Sequence, residues 1–164
     1  MDHLFSPWRY DYVSQEKQDG GCVFCRLAEA DAEQDETTFI VHRARHHFLV
    51  LNIYPYNPGH LLIVPYRHCA KLSELPDPGL VELARLAARV EALLDEVYRP
   101  EGVNLGLNLG RCAGAGIADH LHLHAVPRWA ADTNFITVTG RTRVIPEGID
   151  ESWRKLHGKL GEQA

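Results

Sequence analysis

The sequence is short of basic clusters. Lys and Arg total 17 against 22 Asp and Glu, the formal net charge is −5, and no block of Lys or Arg runs along the chain. General binding to a nucleic-acid backbone is therefore excluded as a function class. Long apolar runs are also missing: none approaches the ~20 residues that cross a bilayer. The first residues, MDHLFSPWRYDYV, carry an aspartate and a proline where a secretion signal has a basic and then an apolar run. A soluble cytoplasmic protein with no membrane partner is expected. Internal repeats and low-complexity linkers are absent, so the 164 residues are expected to form one domain, 1–164. Within it, residues 1–21 read as an extended N-terminal segment, with Trp8, Tyr10 and Tyr12 as docking side chains, and 147–164 as a helical tail. Cysteine is sparse. Four cysteines in such a protein point to metal ligands or free thiols, not to a disulfide framework.

What is present reads as an ordinary globular domain, 45% hydrophobic and 24% charged. Cys22 to Glu33 begins as a turn and runs into a short helix. Phe39 to Val41, Phe48 to Leu51 and Leu61 to Val64 are short apolar runs punctuated by Tyr56-Asn57-Pro58-Gly59, which predicts three strands, mostly antiparallel because the connections are short. Ser73 to Arg99 is the clearest helix, with Leu80, Leu83, Leu86, Ala87, Val90, Leu93, Leu94 and Val97 at three- and four-residue spacing. Pro76 and Pro78 suit its start and Pro100 its end. Val103 to Leu109, Leu121 to Val126 and Phe135 to Val138 predict further strands. Trp153, Leu156 and Leu160 give the tail weak helical spacing. The expected fold is an α+β meander with helices on one face.

Asp119 to Trp129 reads DHLHLHAVPRW, with His120, His122 and His124 at strict two-residue spacing. In a strand these three share one face, and Leu121, Leu123 and Ala125 face the core. A single histidine is usually structural. A row of three is harder to explain that way, because clustered imidazoles repel when protonated. Such a row suits metal binding, anion binding or nucleophilic chemistry on an anion. Just before it, Gly114-Ala115-Gly116 lets main-chain N–H groups approach a ligand closely, as anion sites require. Separately, Cys22-Val-Phe-Cys25 has the spacing of half a zinc site. A redox pair shares that spacing, but the βαβ context of a thioredoxin-like motif is not found. Cys69 and Cys112 read as small buried or loop residues. His42, His46 and His47 read as turn or surface groups, and His3 and His157 are unassigned.

The run His120-Leu-His-Leu-His124-Ala-Val126 resembles the histidine triad family motif. LNIYPYNPGHLLIVPYRH, NLGRCAGAGIADHLHLHAVPRW, DTNFITV and the N-terminal SPWRYDYV followed by CVFC extend the resemblance over about Leu4 to Pro146. They are similar to one bacterial branch, that of diadenosine polyphosphate phosphorylases and hydrolases. The resemblance implies an α+β antiparallel sheet with one long helix and shorter helices, two such sheets joining edge to edge in a homodimer. It implies cleavage of an adenine nucleotide at its α-phosphate, as in diadenosine tetraphosphate, with no organic cofactor. His122 matches the nucleophile that forms a nucleotidyl-histidine. His124 matches a phosphate contact, and His60, in NPGH, a histidine close to the nucleophile. Asn52 matches a ribose contact and Asn108 a phosphate-side asparagine.

The same resemblance implies a closed Cys₂His₂ zinc site of structural type, adding His68 and His120 to Cys22 and Cys25. The triad is then divided into one metal ligand, one nucleophile and one phosphate contact. Many relatives carry a polar side chain just after the loop glycines, aimed at the leaving group. Here Gly116 is followed by Ile117, so backbone N–H groups, Arg111, a histidine or water must serve. Trp129 is either core or a purine-stacking side chain, and Asp132 to Phe135 could pack the ligand from a partner chain. Three other readings stay open: hydrolysis of a nucleoside phosphoramidate or adenylylated molecule, a slow nucleotide-binding signalling module, and a purely structural zinc protein.

Overall fold

The computed structural model describes residues 21–130, 132–133 and 145–162. Trp8, Tyr10, Tyr12 and the expected strand at Phe135 to Val138 lie outside them. The elements in chain order are α1 (Val23–Glu29), α2 (Asp35–Thr38), β1 (Ile40–Arg43), β2 (His47–Leu51), β3 (Leu61–Pro65), α3 (Asp77–Tyr98), β4 (Gly102–Leu107), β5 (Leu123–Arg128) and α4 (Ile149–Gly161), with three 3₁₀ turns between them. All strand pairings are antiparallel and the sheet order is β1-β2-β3-β5-β4. The strand carrying the end of the histidine row therefore lies inside the sheet, with Leu62 opposite His124 on one side and Gly106 opposite it on the other.

Side-chain alternation splits the buried residues between two faces. Leu49, Leu51, Leu61, Ile63 and Ala125 form one cluster with α3 and α4. Phe48, Val50, Leu62 and Val64 face the other way and meet Phe24 of α1. His60, His122 and His124 belong by parity to this second face. The long helix buries Leu83, Leu86, Val90, Leu93 and Leu94, the expected stripe. It starts four residues later than the spacing predicts. Pro76 biases Leu75 away from helical geometry, and Leu75 is indeed extended at ψ 137°, so Leu72–Glu74 is a separate 3₁₀ turn. The tail is helical as expected: Leu156 and Leu160 join the first cluster, while Trp153 Nε1 and His157 Nδ1 donate to the Ile40 and Val41 carbonyls of β1.

Two expectations are corrected. His47 is not a turn or surface residue: it is fully buried, its Nδ1 2.8 Å from Glu82 Oε2. Glu82 also accepts the N–H groups of Arg45 and His46, so α3 clamps the start of β2. The histidine row also begins before the strand. At 120–122 the chain leaves the β3 ladder and follows the segment beyond it, with Leu121 N–H donating to the Cys69 carbonyl at 2.6 Å.

Candidate functional site

Four of the sequence-predicted residues meet at the N-terminus of α1. Cys22 caps the helix and Cys25 lies in its first turn, so the two thiols share one face. His68 follows β3 and His120 precedes β5. Cys22 Sγ is 3.2 Å and Cys25 Sγ 3.7 Å from His120 Nδ1; His68 Nδ1 is 3.3 Å from Cys25 Sγ and 3.2 Å from His120 Nδ1. An ion bound tetrahedrally at zinc-like lengths needs about 3.3 Å between nitrogens and about 3.6 Å between nitrogen and sulfur. The quartet therefore has the dimensions of a closed four-ligand site, and these residues are positioned to bind a metal. The tautomer fits as well. His120 Nε2 lies 2.9 Å from the Pro65 carbonyl. A carbonyl only accepts, so Nε2 holds the proton and Nδ1 turns its lone pair to the thiols.

The same reasoning fixes the next two imidazoles. His122 Nδ1 is 2.8 Å from the His120 carbonyl, so Nδ1–H donates and Nε2 carries the lone pair. The ring is 7% exposed and packs against Phe24 and His124. Burial lowers its pKa, and the carbonyl bond only partly offsets this. At His60, the Tyr56 main-chain N–H donates to Nδ1 at 3.1 Å, so Nε2–H must donate to His124 Nδ1, 2.9 Å away. This leaves Nε2 as the protonated nitrogen of His124. His60 is fully buried, and burial and the two neighbouring imidazoles push its pKa down to about 3, so it stays neutral.

Backbone geometry holds His60 in place. Gly59 has φ +73°, and a Cβ there would sit 2.5 Å from Cε2 of Tyr98. Asn57 accepts the His60 N–H, and its side-chain amide donates to the Pro127 carbonyl and to Asp132 Oδ2 at 2.7 and 2.8 Å. Asn52 flanks His60 from the end of β2. Its Oδ1 accepts the Tyr54 N–H at 3.0 Å, and its Nδ2 is 3.4 Å from His60 Nδ1.

A cavity of about 280 Å³ opens beside His124, between the exposed face of β4 and the end of β5. Tyr56, Asn57, Asn104, Asn108, His124 and Arg128 line it. Asn108 is thus brought to His124. The glycine loop behaves differently from expectation. Gly114 is left-handed at φ +91°, and the N–H groups of Gly114 and Ala115 donate to the carbonyls of Arg111 and Gly110, closing the loop on itself. Gly116 and Ile117 follow, with Ile117 packed on the Phe24 cluster, and Arg111 stands exposed in the 3₁₀ turn. Trp129 packs edge-on against Tyr98 and does not line the cavity. Asp132 accepts Arg128, Asn57 and the Trp129 N–H, bonds that hold its carboxyl well below the usual range. Sequence reading missed Tyr56, Asn57, Asn104 and Arg128. For Arg128 a signal existed: it lies four residues after His124, on the same face of one strand.

Comparison with known proteins agrees with this architecture. A family profile described as the HIT domain matches residues 33–131. The AP-4-A phosphorylase of Mycobacterium tuberculosis is 38% identical across 99% of this chain and 86% of that protein. The adenosine 5'-monophosphoramidase HNT1 of Saccharomyces cerevisiae is 29% identical across 67% of this chain and 64% of that protein. The crystal structure of a Zn-bound histidine triad family protein from Mycobacterium smegmatis superposes with a TM-score of 0.69 at 28% identity, covering 87% of this chain and 95% of that one. The chain belongs to the histidine triad (HIT) domain family, with the family's α+β antiparallel sheet.

Proposed function

We propose that the protein cleaves dinucleoside polyphosphates such as diadenosine tetraphosphate through a nucleotidyl-histidine on His122. The observation that carries this reading is the His120 carbonyl on His122 Nδ1–H, which leaves Nε2 as a lone-pair nucleophile in a nearly water-free setting. Nε2 attacks the α-phosphorus and a P–N bond forms. The P–O bond to the leaving polyphosphate breaks, and for diadenosine tetraphosphate the electron pair departs with ATP. Phosphate then attacks the adenylyl-histidine and releases ADP, or water attacks and releases AMP. In both cases Nε2 recovers its lone pair. His124, its Nε2–H aimed by His60, donates to a phosphate oxygen. Asn52 holds the ribose and Asn108 a phosphate oxygen. The loop Gly114, Ala115 and Gly116 borders the phosphate, supplying shape while its first two N–H groups stay within the loop.

Phosphorolysis is supported by the 38% identical relative named for that activity. Phosphoramidate hydrolysis is the second reading, supported by the yeast relative named for it; the step through His122 is the same. Zinc at Cys22, Cys25, His68 and His120 would be structural: all four positions of a tetrahedron are taken by protein, so no position is left for substrate. The chain is read as one cytoplasmic domain, residues 1–164. Among the described residues no helix is long and apolar enough to cross a membrane. A homodimer joined along β4 is supported by that strand's place at the sheet edge and by two exposed leucines, Leu105 within it and Leu109 just beyond it, 44% and 45% exposed. Product analysis with diadenosine tetraphosphate tests the function. ADP with ATP only when phosphate is present identifies a phosphorylase, and AMP with ATP without phosphate a hydrolase. Absence of all these products refutes the reading.

A further inference from the structure

The groove that starts at His124 ends on a cation. Arg128 is on the same face of β5, four residues or ~13 Å further along. An in-line displacement puts nucleophile and leaving group on opposite sides of phosphorus. With the phosphorus held between His122 and His124, a leaving chain that runs away from His122 past His124 enters the groove.

Arg128 is set for an oxyanion. Its Nε donates to Asp132 Oδ2 at 2.6 Å, Nη2 to Asp132 Oδ1 at 3.2 Å and Nη1 to Asn104 Oδ1 at 2.8 Å. A guanidinium has five N–H donors, so three are used to fix its plane. The remaining two, one on each terminal nitrogen, have no protein partner among the described residues. When Asn104 takes the Nη1 hydrogen turned away from Nη2, these two form a fork matched to two phosphate oxygens. The anchor below is rigid: the Asp132 side chain is 6% exposed and also accepts Asn57, whereas Arg128 is 44% exposed. A guanidinium pinned from beneath and open above, at the end of a cavity lined by Asn57, Asn104 and Asn108, is a built anion subsite.

We propose that Arg128, held by Asp132 and Asn104, binds the distal phosphates of the leaving polyphosphate and so selects dinucleoside polyphosphates over substrates with short leaving groups. This rests on the nucleotidyl-transfer reading given above. It is an oligophosphate subsite, and it sets specificity through the leaving group without touching the bonds to His122.

The test compares kcat/KM for diadenosine tetraphosphate with that for adenosine 5'-phosphoramidate, in wild type, Arg128→Gln and Arg128→Lys. Loss of a charge-assisted fork predicts that the tetraphosphate-to-phosphoramidate ratio falls about 10- to 100-fold in Arg128→Gln. Arg128→Lys, which keeps charge but not the fork, should fall between. An unchanged ratio, including equal losses on both substrates, overturns the proposal and leaves Arg128 a structural latch. Calorimetric binding of inorganic tripolyphosphate gives an arm that needs no turnover. Affinity for wild type that drops at least about tenfold in Arg128→Gln supports the subsite. Equal affinity for both proteins overturns it. If wild type cleaves neither substrate yet binds tripolyphosphate through Arg128, the catalytic reading fails while the subsite stands.

Discussion

Replacing Gly59 by alanine probes how the turn before His60 is held. Two penalties are visible. The backbone is left-handed at φ +73°, which costs an L-residue about 1–2 kcal/mol. The new methyl would also meet Cε2 of Tyr98 at 2.5 Å and Cδ2 and Cζ at 3.0 Å. Tyr98 has little room to retreat, because its hydroxyl donates to Glu147 at 2.7 Å and its ring meets Trp129. Overpacking of this kind costs about 1–3 kcal/mol. Gly59→Ala should therefore destabilise the protein by about 2–5 kcal/mol in urea unfolding, with an unchanged m-value. The two parts separate in a double-mutant cycle with Tyr98→Leu, which deletes the ring atoms that clash. In that background the cost of Gly59→Ala should shrink to the left-handed part, a coupling of about 1–3 kcal/mol. A cost below ~0.5 kcal/mol, or a cost that Tyr98→Leu does not reduce, would refute this account of how His60 is placed.

Metal analysis should find about one zinc per chain, lost in Cys22→Ser and Cys25→Ser. Chelation should lower the thermal midpoint by ~6–12 °C, equivalent to about 3 kcal/mol, because the metal ties α1 to the lead-in of β5. Metal-free protein that melts with the holoprotein would contradict this. Acid should destabilise the fold through His60. Its pKa is about 3 in the folded protein against an ordinary 6.5, so below pH 6.5 the unfolded chain takes up a proton that the folded one refuses. The stabilisation is present above pH 6.5 and lost as pH falls towards 3, by up to about 1.4 kcal/mol per pH unit. His60→Asn should flatten the stability–pH slope between pH 6 and 4; equal slopes would show that His60 is not held neutral.

The parts of this site that are local in sequence were readable there. A two-residue period in Asp119 to Trp129 puts His120, His122 and His124 on one face wherever the backbone is extended, and Phe24 does contact the first two of them. The Cys22 and Cys25 pair is a helix-spaced motif, but its union with His68 and His120 depends on β3 and β5 being neighbours, which spacing alone does not contain; the family resemblance supplied it. The proton positions were beyond reach. They are dictated by single main-chain groups, the carbonyls of Pro65 and His120 and the N–H of Tyr56, whose directions exist only in the folded backbone. His47 was misread for a related reason: its partner Glu82 is 35 residues away, and the flanking Arg45-His46 makes the strand start look polar. The late start of α3 was legible in Pro76, given that a residue before proline avoids helical geometry.

The proposed chemistry turns on His122 Nε2 taking the nucleotidyl group. A direct measurement is a rapid alkaline quench of the protein with diadenosine tetraphosphate, at a phosphate concentration too low for turnover, followed by peptide mass spectrometry at a pH that preserves the P–N bond. An adenylyl group is expected on the peptide containing His122, absent in His122→Ala, whose turnover should fall by more than about a thousandfold. Turnover retained in His122→Ala, or an adenylyl group on another residue, would contradict it.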